Sequence, residues 1–243
     1  RYARQRQSAP VSWCEHPAYR PFWALVSHQD ISEVSKQNEL FINAPRLTLV
    51  PKAIEDYLAS TGRGRDGSVR TIIDMDEPDH RDYRKVTQSW FLGQGVAKFE
   101  GRVQAMAKRS VSRMAELGSD CDFAVDIANW FPLYVIMGIL GLPEEDAPFI
   151  LRCTQAMLAA SDPELQRDQQ AFGTAEFEQL FAYLGTIVEK RRREPTDDLG
   201  SVIANGLVKG QAMGMLETLS YLMLTSTAGH ETTSSAISGG LLA

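Results

Sequence analysis

The chain has 243 residues, of which 44% are hydrophobic and 23% charged, and its net charge is −6 at pH 7. This is the composition of a globular protein with a large core, and the negative charge argues against nucleic acid as the partner. Inspection finds no run of about 18 apolar residues, no apolar N-terminal signal and no metal-type spacing of Cys14, Cys121 and Cys153. We therefore expect a cytoplasmic protein with free thiols and no membrane span.

The N-terminal part of the chain predicts short elements separated by loops. Residues 22–27 are aromatic and β-branched enough for a strand. Asp30, with Glu33 three positions later, has the spacing of a capping box and predicts a short helix over residues 31–36. Helical turns are predicted over residues 53–59, and loops over residues 10–21, 41–52 and 61–68.

A further helix is predicted to follow Pro78, which suits the first helical position, and to run to about Phe91. His80 and Arg84 lie four positions apart on this helix, so their side chains share one face. Two such side chains can together bind a carboxylate or a phosphate. The alternative is a solvated face on which Arg84 pairs with a nearby acid.

The rest of the chain is predicted to be helical, apart from one short strand over residues 121–125. Helices are predicted over residues 96–117, 126–140, 144–160, 165–193, 198–204 and 211–243. The charged end at residues 189–193 carries four basic residues after Glu189, and these are interpreted as charge at a helix C-terminus and not as a nucleic-acid patch.

The last predicted helix, residues 211–243, changes character along its length. Its first half is apolar on nearly every face, which is typical of a buried helix. Its middle carries Gly229 and several threonines, which lower helix propensity, and hydroxyls that can bond back to the preceding turn. We therefore expect a locally disturbed helix. The alternative is that these small residues mark a place where another helix packs closely.

Residues 228–233, Ala-Gly-His-Glu-Thr-Thr, could first be tested as part of a zinc site. The His-Glu-x-x-His pattern needs a second histidine at position 234, which is Ser234, so that interpretation fails. The six residues instead resemble the oxygen-binding motif in the central helix of the cytochrome P450 family. The resemblance implies that Glu231 and Thr232 manage protons for bound oxygen.

The same resemblance implies the surroundings of this motif. Ala228 and Gly229 would lie over the face of a haem. The substrate pocket would be lined by Leu224 and Ala228, by the loop 47–73 and by the segment around Ala159.

A second segment, residues 75–84 with the Trp-Phe pair at 90–91, resembles the region that binds the haem propionates in bacterial members of the family. The resemblance implies that His80 and Arg84 contact the propionates and that Phe91 contacts the haem edge. Glu77 departs from the family form, which usually has proline there.

The two motifs occur in the family's order, and the likeness covers essentially the whole chain. It implies a mainly α protein with a partial cytochrome P450 fold and a small β-sheet region near the N-terminus. Residues 1–243 would be the N-terminal part of a single domain that ends in or just after the central helix, at about 211–243. The family's haem-ligating cysteine is not found here, so no metal ligand is expected in this chain, and we expect the segment alone to be inactive.

The resemblance also implies the activity of the full-length protein. It would insert one oxygen atom of O2 into a C–H bond of its substrate. A small apolar substrate is expected, because the sequence most resembles bacterial members that hydroxylate terpenes and similar cyclic hydrocarbons. The cofactor would be haem b, with electrons from NAD(P)H through a ferredoxin reductase and a ferredoxin, and a monomer is expected. The alternative is a non-catalytic helical binding module on the same scaffold.

Overall fold

A computed structural model describes residues 2–44, 48–60, 70–118, 120–159 and 174–243. These residues are mostly helical, with two small antiparallel sheets, as expected for a mainly α protein. The α-helices are α1 (Tyr2–Ser8), α2 (His28–Ser35), α3 (Lys52–Ser60), α4 (Asp79–Gln88), α5 (Gly93–Ala97), α6 (Glu100–Leu117), α7 (Trp130–Leu140), α8 (Ala147–Ala159), α9 (Thr174–Arg193), α10 (Leu199–Ala204) and α11 (Met215–Leu242). The strands are β1 (Val11–His16), β2 (Tyr19–Leu25), β3 (Leu207–Val208) and β4 (Gln211–Ala212).

The chain forms two compact units, an N-terminal unit (Arg1–Arg81) and a C-terminal unit (Asp82–Ala243). In the N-terminal unit, β1 pairs with β2 so that Trp13 lies opposite Trp23, and their rings meet edge to face with centroids 5.2 Å apart. The small N-terminal sheet is thus confirmed. The loop predicted over residues 10–21 is wrong, because the cross-strand partners that make β1 a strand lie in β2 and cannot be read locally.

Helix α2 begins earlier than its sequence pattern predicted. Ser27 has extended backbone angles and its hydroxyl accepts a hydrogen bond from the Asp30 amide at 3.1 Å, so Ser27 is the N-cap residue. The prediction of Asp30 as the cap is wrong, since a serine three positions upstream makes the same kind of bond. Asp30 lies in the first turn instead, where its negative charge interacts favourably with the positive end of the helix dipole.

The core of the C-terminal unit is formed where α7 packs against α11 and α9 packs against α8, α10 and α11. Fully buried apolar side chains fill these contacts, among them Leu133, Met137, Leu140, Leu180, Leu184, Val188 and Leu222. Burying a side chain of this size stabilises the fold by roughly 1.5–3 kcal/mol.

The segment that leads into α7 is a π-helix, Phe123–Ala128, and not the strand predicted over residues 121–125. The Asp122 side chain accepts a hydrogen bond from the Val125 amide at 3.1 Å and caps this turn. Local bonding of this kind competes with strand formation, which is why the apolar pattern misled the prediction. Because the π-helix comes first, α7 begins at Trp130 and not at residue 126.

The stretch Phe123–Leu140, which comprises the π-helix and α7, is long and apolar enough to cross a membrane and has a mean hydropathy of 1.6. This finding corrects the expectation that the chain has no such stretch. Several of its side chains are buried inside the C-terminal unit, including Leu133 and Met137. We therefore interpret it as a core helix.

Glycines end two predicted helices as expected: Gly118 after α6 and Gly141 after α7 both have positive φ. At the other end of the unit, α11 begins at Met215 and not at residue 211. Residues 211–212 instead pair with residues 207–208 as the hairpin β3–β4, which turns at Lys209 and Gly210, both with positive φ. The first part of the helix predicted over residues 165–193 falls on residues outside those described.

The basic run at the end of α9 is partly turned into the protein. The Arg191 guanidinium donates to the Gly141 carbonyl at 2.7 Å and pairs with Asp198 at 2.8 Å, and both side chains are only 11% exposed. Asp198 in turn caps α10, as predicted, by accepting from the Ser201 amide at 2.6 Å. This buried pair therefore joins the ends of α7 and α9 to the start of α10.

Arg192 holds the chain that leads into α11. Its guanidinium donates to the carbonyls of Ala204 and Met213 at 2.9 and 3.0 Å and to the Thr218 hydroxyl at 3.2 Å. Three hydrogen bonds from one rigid guanidinium fix the first turn of α11 against the end of α10.

Candidate functional site

Helix α11 is continuous from Met215 to Leu242, so the expected disturbance in its middle is not observed. The hydroxyl groups bond back within the helix. The back-bonding residues are Thr218, Ser220, Thr225, Ser226, Thr227 and Thr232. The hydroxyl bonding expected from the sequence therefore exists, and the helix absorbs it without opening.

One face of α11 is buried in the C-terminal unit and carries an unusual number of polar groups. Leu222, Ser226, His230 and Ser234 follow one another at intervals of four and are all buried. Helix α11 packs here against α7 and the π-helix. The Ser234 hydroxyl donates to the side-chain oxygen of Asn129 at 2.9 Å, at the junction of the π-helix and α7.

The opposite face of α11 is open within the C-terminal unit. Leu224 is half-buried, and Ala228 and Thr232, one and two turns further on, are exposed. Successive residues turn by about 100° around a helix, which places Thr232 about 40° to one side of Ala228 and Glu231 about 60° to the other. The side chain of Glu231 is half-buried. Three of the predicted pocket and catalytic residues therefore line one face, with the carboxylate at its edge.

Gly229 belongs to the contact with α7 and not to the middle of the open face. A Cβ atom at this position would lie 3.0 Å from the Cδ1 atom of Ile136, which is tighter than ordinary packing. The close-packing interpretation therefore applies to Gly229, while Ala228 beside it remains on the open face. Of the two alternatives drawn from the sequence, close packing holds at Gly229, and the locally disturbed helix is not observed.

His230 is completely buried in this crossing, with 0% of its surface exposed. Neither ring nitrogen makes a well-aligned hydrogen bond to a residue that the structure describes. Burial lowers the pKa of His230 below its ordinary value of 6.5, and the Glu231 carboxylate and the nearby Asn129 backbone only partly oppose this effect. The imidazole is therefore neutral at pH 7.

We expect the buried imidazole to make the stability of the protein depend on pH. In the unfolded chain His230 regains a pKa of about 6.5, so below that pH the unfolded state binds more protons than the folded state. The free energy of unfolding of the full-length protein should fall as pH falls through about 6.5. Urea titrations over this range should show a flatter dependence in His230→Phe.

The exposed His16 on β1 offers the matched control for this prediction. His16→Phe should keep the pH dependence of the parent protein. Identical slopes in the parent and in His230→Phe would contradict the prediction.

Helix α4 carries the predicted pair of cationic side chains one turn apart. His80 is 35% exposed, and its Nδ1 lies 4.0 Å from the Glu77 carboxylate, which also pairs with Arg81. Arg84 is exposed, and no described acid lies within ion-pairing distance of it. The alternative in which Arg84 is neutralised by a neighbouring acid therefore finds no support in the described part of the chain.

A buried hydrogen bond ties α4 to α11. The hydroxyls of Thr87 and Tyr221 are 2.8 Å apart, and the Tyr221 hydroxyl also reaches the Tyr83 carbonyl at 3.3 Å. Burial raises the pKa of Tyr221, so it stays protonated and able to donate. Phe91, in a 3₁₀ turn just after α4, is 56% exposed.

Sequence reasoning missed the residues that hold α11 in place. Asn129 and Tyr221 drew no attention, because their partners, Ser234 and Thr87, are more than a hundred positions away. The polar residues spaced by four on an otherwise apolar face were the available signal.

The described part of the chain also bears on the predicted pocket loop, a surface groove and possible metal ligands. Of the expected pocket loop 47–73, residue 47 and residues 61–69 lie outside the described residues, and so does the Ala159 side chain. A groove of about 600 Å³ between α6, the π-helix and α7 is lined by Arg109, Arg113, Trp130 and Tyr134, among others, and includes none of the predicted site residues. The described residues hold no cluster of three or more His, Cys, Asp or Glu side chains suited to a metal ion.

No protein-family model matches the sequence. The chain is 30% identical over 247 residues to cytochrome P450-terp of a Pseudomonas species, a match that takes in 98% of this chain and 58% of that protein. The chain thus spans less than two thirds of the length of this curated relative.

Solved structures agree with that match. CYP108D1 from Novosphingobium aromaticivorans is 32% identical, with a TM-score of 0.82 over 96% of this chain and 56% of that one. CYP268A2 of Mycobacterium marinum, in complex with pseudoionone, is 25% identical, with a TM-score of 0.86 over 99% of this chain and 58% of that one. The described fold is therefore that of the corresponding part of these proteins.

Proposed function

Because the chain belongs to the cytochrome P450 family, we propose that it supplies the oxygen-binding and propionate-binding helices of a haem-dependent monooxygenase. The reaction takes a substrate C–H bond, O2, two electrons and two protons to a C–OH group and water. The chain covers only 58% of the curated relative, so this activity is that of a longer protein.

The observation that carries the proposal is the open face of α11. Leu224, Ala228 and Thr232 occupy it in successive turns, whereas the buried stripe through Ser226 and His230 packs against α7 and the π-helix. A methyl group at its centre leaves room for a flat group to approach the helix closely. Thr232 and Glu231 on either side bring a hydroxyl and a carboxylate to that surface.

The residues of α4 also fit a bound haem, through its propionate groups. Arg84 is an exposed guanidinium without a described acidic partner, as a propionate-binding residue requires. The bond between Thr87 and Tyr221 holds this helix to α11. In this proposal Arg84 and His80 would bind the propionates of haem b, Phe91 would contact its edge, and Ala228 would lie nearest its face. Gly229, predicted with Ala228 for the haem face, instead packs against Ile136 of α7. When bound, haem supplies the activation of O2, and the proposal places its axial cysteine outside this chain.

The proposed work of Thr232 and Glu231 concerns protons. The Thr232 hydroxyl donates to the Ala228 carbonyl at 2.8 Å, which leaves the lone pairs of its oxygen free to accept a hydrogen bond on the open face. The half-buried Glu231 can take up a proton from solvent and turn to deliver it there. The two residues would thus decide whether proton delivery to bound oxygen leads to hydroxylated product or to hydrogen peroxide.

We further propose a small apolar substrate of the terpene or cyclic hydrocarbon type, in contact with Leu224 and Ala228. The support is the apolar character of this part of the face, together with the pseudoionone that one similar structure holds. Electrons would come from NAD(P)H through a ferredoxin reductase and a ferredoxin. A monomer in the cytoplasm is the state proposed for the full-length protein.

Optical spectroscopy of the full-length protein tests the function. Reduction and addition of CO should move the Soret band to the long wavelength typical of thiolate-ligated haem, and a terpene-like substrate should change the ferric spectrum. A non-catalytic helical binding module would bind the small molecule without either haem signal, and that result would overturn the proposal.

The cationic pair of α4 gives a separate prediction. Replacing His80 and Arg84 together by alanine should weaken haem retention, because each charge-assisted hydrogen bond contributes roughly 1.5–3 kcal/mol. Haem transfer from the full-length protein to an apo-globin acceptor would measure the loss. Lys85→Ala, which removes an exposed charge from the same helix, is the matched control and should retain haem normally. Equal rates of haem transfer in the two variants would contradict the prediction and favour the interpretation of His80 and Arg84 as part of a solvated face.

A further inference from the structure

The buried side of the oxygen-binding motif holds polar contacts that the proposed reaction does not use. Ser234 is 5% exposed and donates to the Asn129 side chain across the crossing with the π-helix and α7. His230, one turn earlier on the same stripe, is fully buried in the same crossing. A buried polar group without a well-made hydrogen bond is unfavourable, so packing alone does not account for histidine at position 230.

These contacts act together with Gly229 to define one rotation of α11. Gly229 meets Ile136, and a Cβ atom there would come within 3.0 Å of that side chain. Ser234 reaches Asn129 at the beginning of α7 by a hydrogen bond that requires both distance and direction. An apolar stripe alone tolerates sliding and turning, whereas a directional bond one turn beyond His230 does not.

We propose that Ser234 is a positioning residue that fixes the rotation of α11 through Asn129 and so aims Glu231 and Thr232 at the open face. The inference rests on the proposed function, because it assigns the buried side of the motif a task in the chemistry of the exposed side. A helix is rigid around its axis, so the buried stripe and the open face turn together. Productive geometry requires side chains held to within about 10–20°, and the directional bond to Asn129 contributes to holding that rotation.

The chain provides a matched pair of serines for the test. Ser226 and Ser234 are both buried on the same face of α11, but the Ser226 hydroxyl bonds only to the Met223 carbonyl of its own helix, at 2.8 Å. Ser226→Ala and Ser234→Ala therefore remove the same atom from the same face. Only the second variant breaks the contact with Asn129.

In the full-length, haem-loaded protein, Ser234→Ala should lower the product formed per NAD(P)H by about two- to tenfold, the range expected for one net hydrogen bond. Ser226→Ala should leave this ratio unchanged. Deuterium exchange of the amides of residues 228–232 should be faster in Ser234→Ala than in Ser226→Ala. Ser234→Thr, which keeps the hydroxyl, should restore both the ratio and the protection.

Asn129→Leu provides a second route if Ser234→Ala fails to fold. It should reproduce the lowered ratio, and the double variant with Ser234→Ala should be no worse than either single variant. Equal ratios in Ser226→Ala and Ser234→Ala would overturn the inference. An unchanged ratio in Thr232→Ala would instead overturn the proposed proton-handling role of the open face, and absence of the haem signals would overturn the proposed function, so the failures are distinguishable.

Discussion

Replacing Thr232 with alanine should separate electron consumption from product formation in the full-length protein. NAD(P)H oxidation should continue, product per NAD(P)H should fall at least about tenfold, and hydrogen peroxide should account for the difference. The physical reason is that Oγ1 of Thr232 is the hydroxyl oxygen placed on the open face beside Ala228, and a positioned proton-transfer group typically contributes about 100-fold or more. Product, peroxide and NAD(P)H should be measured in the same reaction.

Thr227→Ala is the control for this experiment. The Thr227 hydroxyl bonds back to the Met223 and Leu224 carbonyls at 2.9 and 3.2 Å, so it makes the same kind of bond in the same helix. It lies about 140° around the helix from Thr232 and so does not share its face. Its removal should leave the product ratio unchanged. If Thr232→Ala kept the ratio of the parent protein, the proton-handling role would be refuted.

Breaking the ion pair between Arg191 and Asp198 should cost about 3–5 kcal/mol of unfolding free energy, a large share of the stability of a typical domain. Both side chains are 11% exposed, so Arg191→Ala leaves a nearly buried carboxylate without its partner. The variant also removes the hydrogen bond to the Gly141 carbonyl that joins α9 to the end of α7. The midpoint of urea unfolding of the full-length protein measures the loss.

Arg193→Ala provides the comparison, because Arg193 is exposed and bonds only to the Glu189 carbonyl of its own helix. Its removal should change the unfolding free energy by less than about 0.5 kcal/mol, as for other surface substitutions. Similar losses in the two variants would mean that the buried pair contributes no more than a surface arginine.

The helices were predictable wherever local signals agreed with one another. Asp198 at a cap position, Gly118 and Gly141 after apolar stretches, and Pro78 before a helix all mark boundaries that the structure confirms within a few residues. Each of these signals acts through backbone conformation or a bond a few residues away. The sequence failed at residues 121–125, where a strand-like composition forms a π-helix because Asp122 bonds to its own neighbourhood.

The sequence names the residues of the motif on α11 but not the surface that they form. The order Ala-Gly-His-Glu-Thr-Thr identifies the residues that bear the proposed chemistry, and helical geometry separates Glu231 from Thr232 by about 100°. Neither says which side of the helix is covered. Only the packing against α7 reveals that Gly229 meets Ile136 while Ala228 stays exposed.

By itself the sequence determined the mainly helical fold, the positions of most helix ends and the types of residue at the proposed site, because these depend on neighbours along the chain. The tertiary structure decided what depends on distant partners. Ser234 meets Asn129 and Tyr221 meets Thr87 across more than a hundred positions, and Arg191, predicted as charge at a helix C-terminus, forms a nearly buried ion pair with Asp198. The free energy of such contacts comes from burial and from directional bonds between separate elements, and no local pattern encodes which elements will meet.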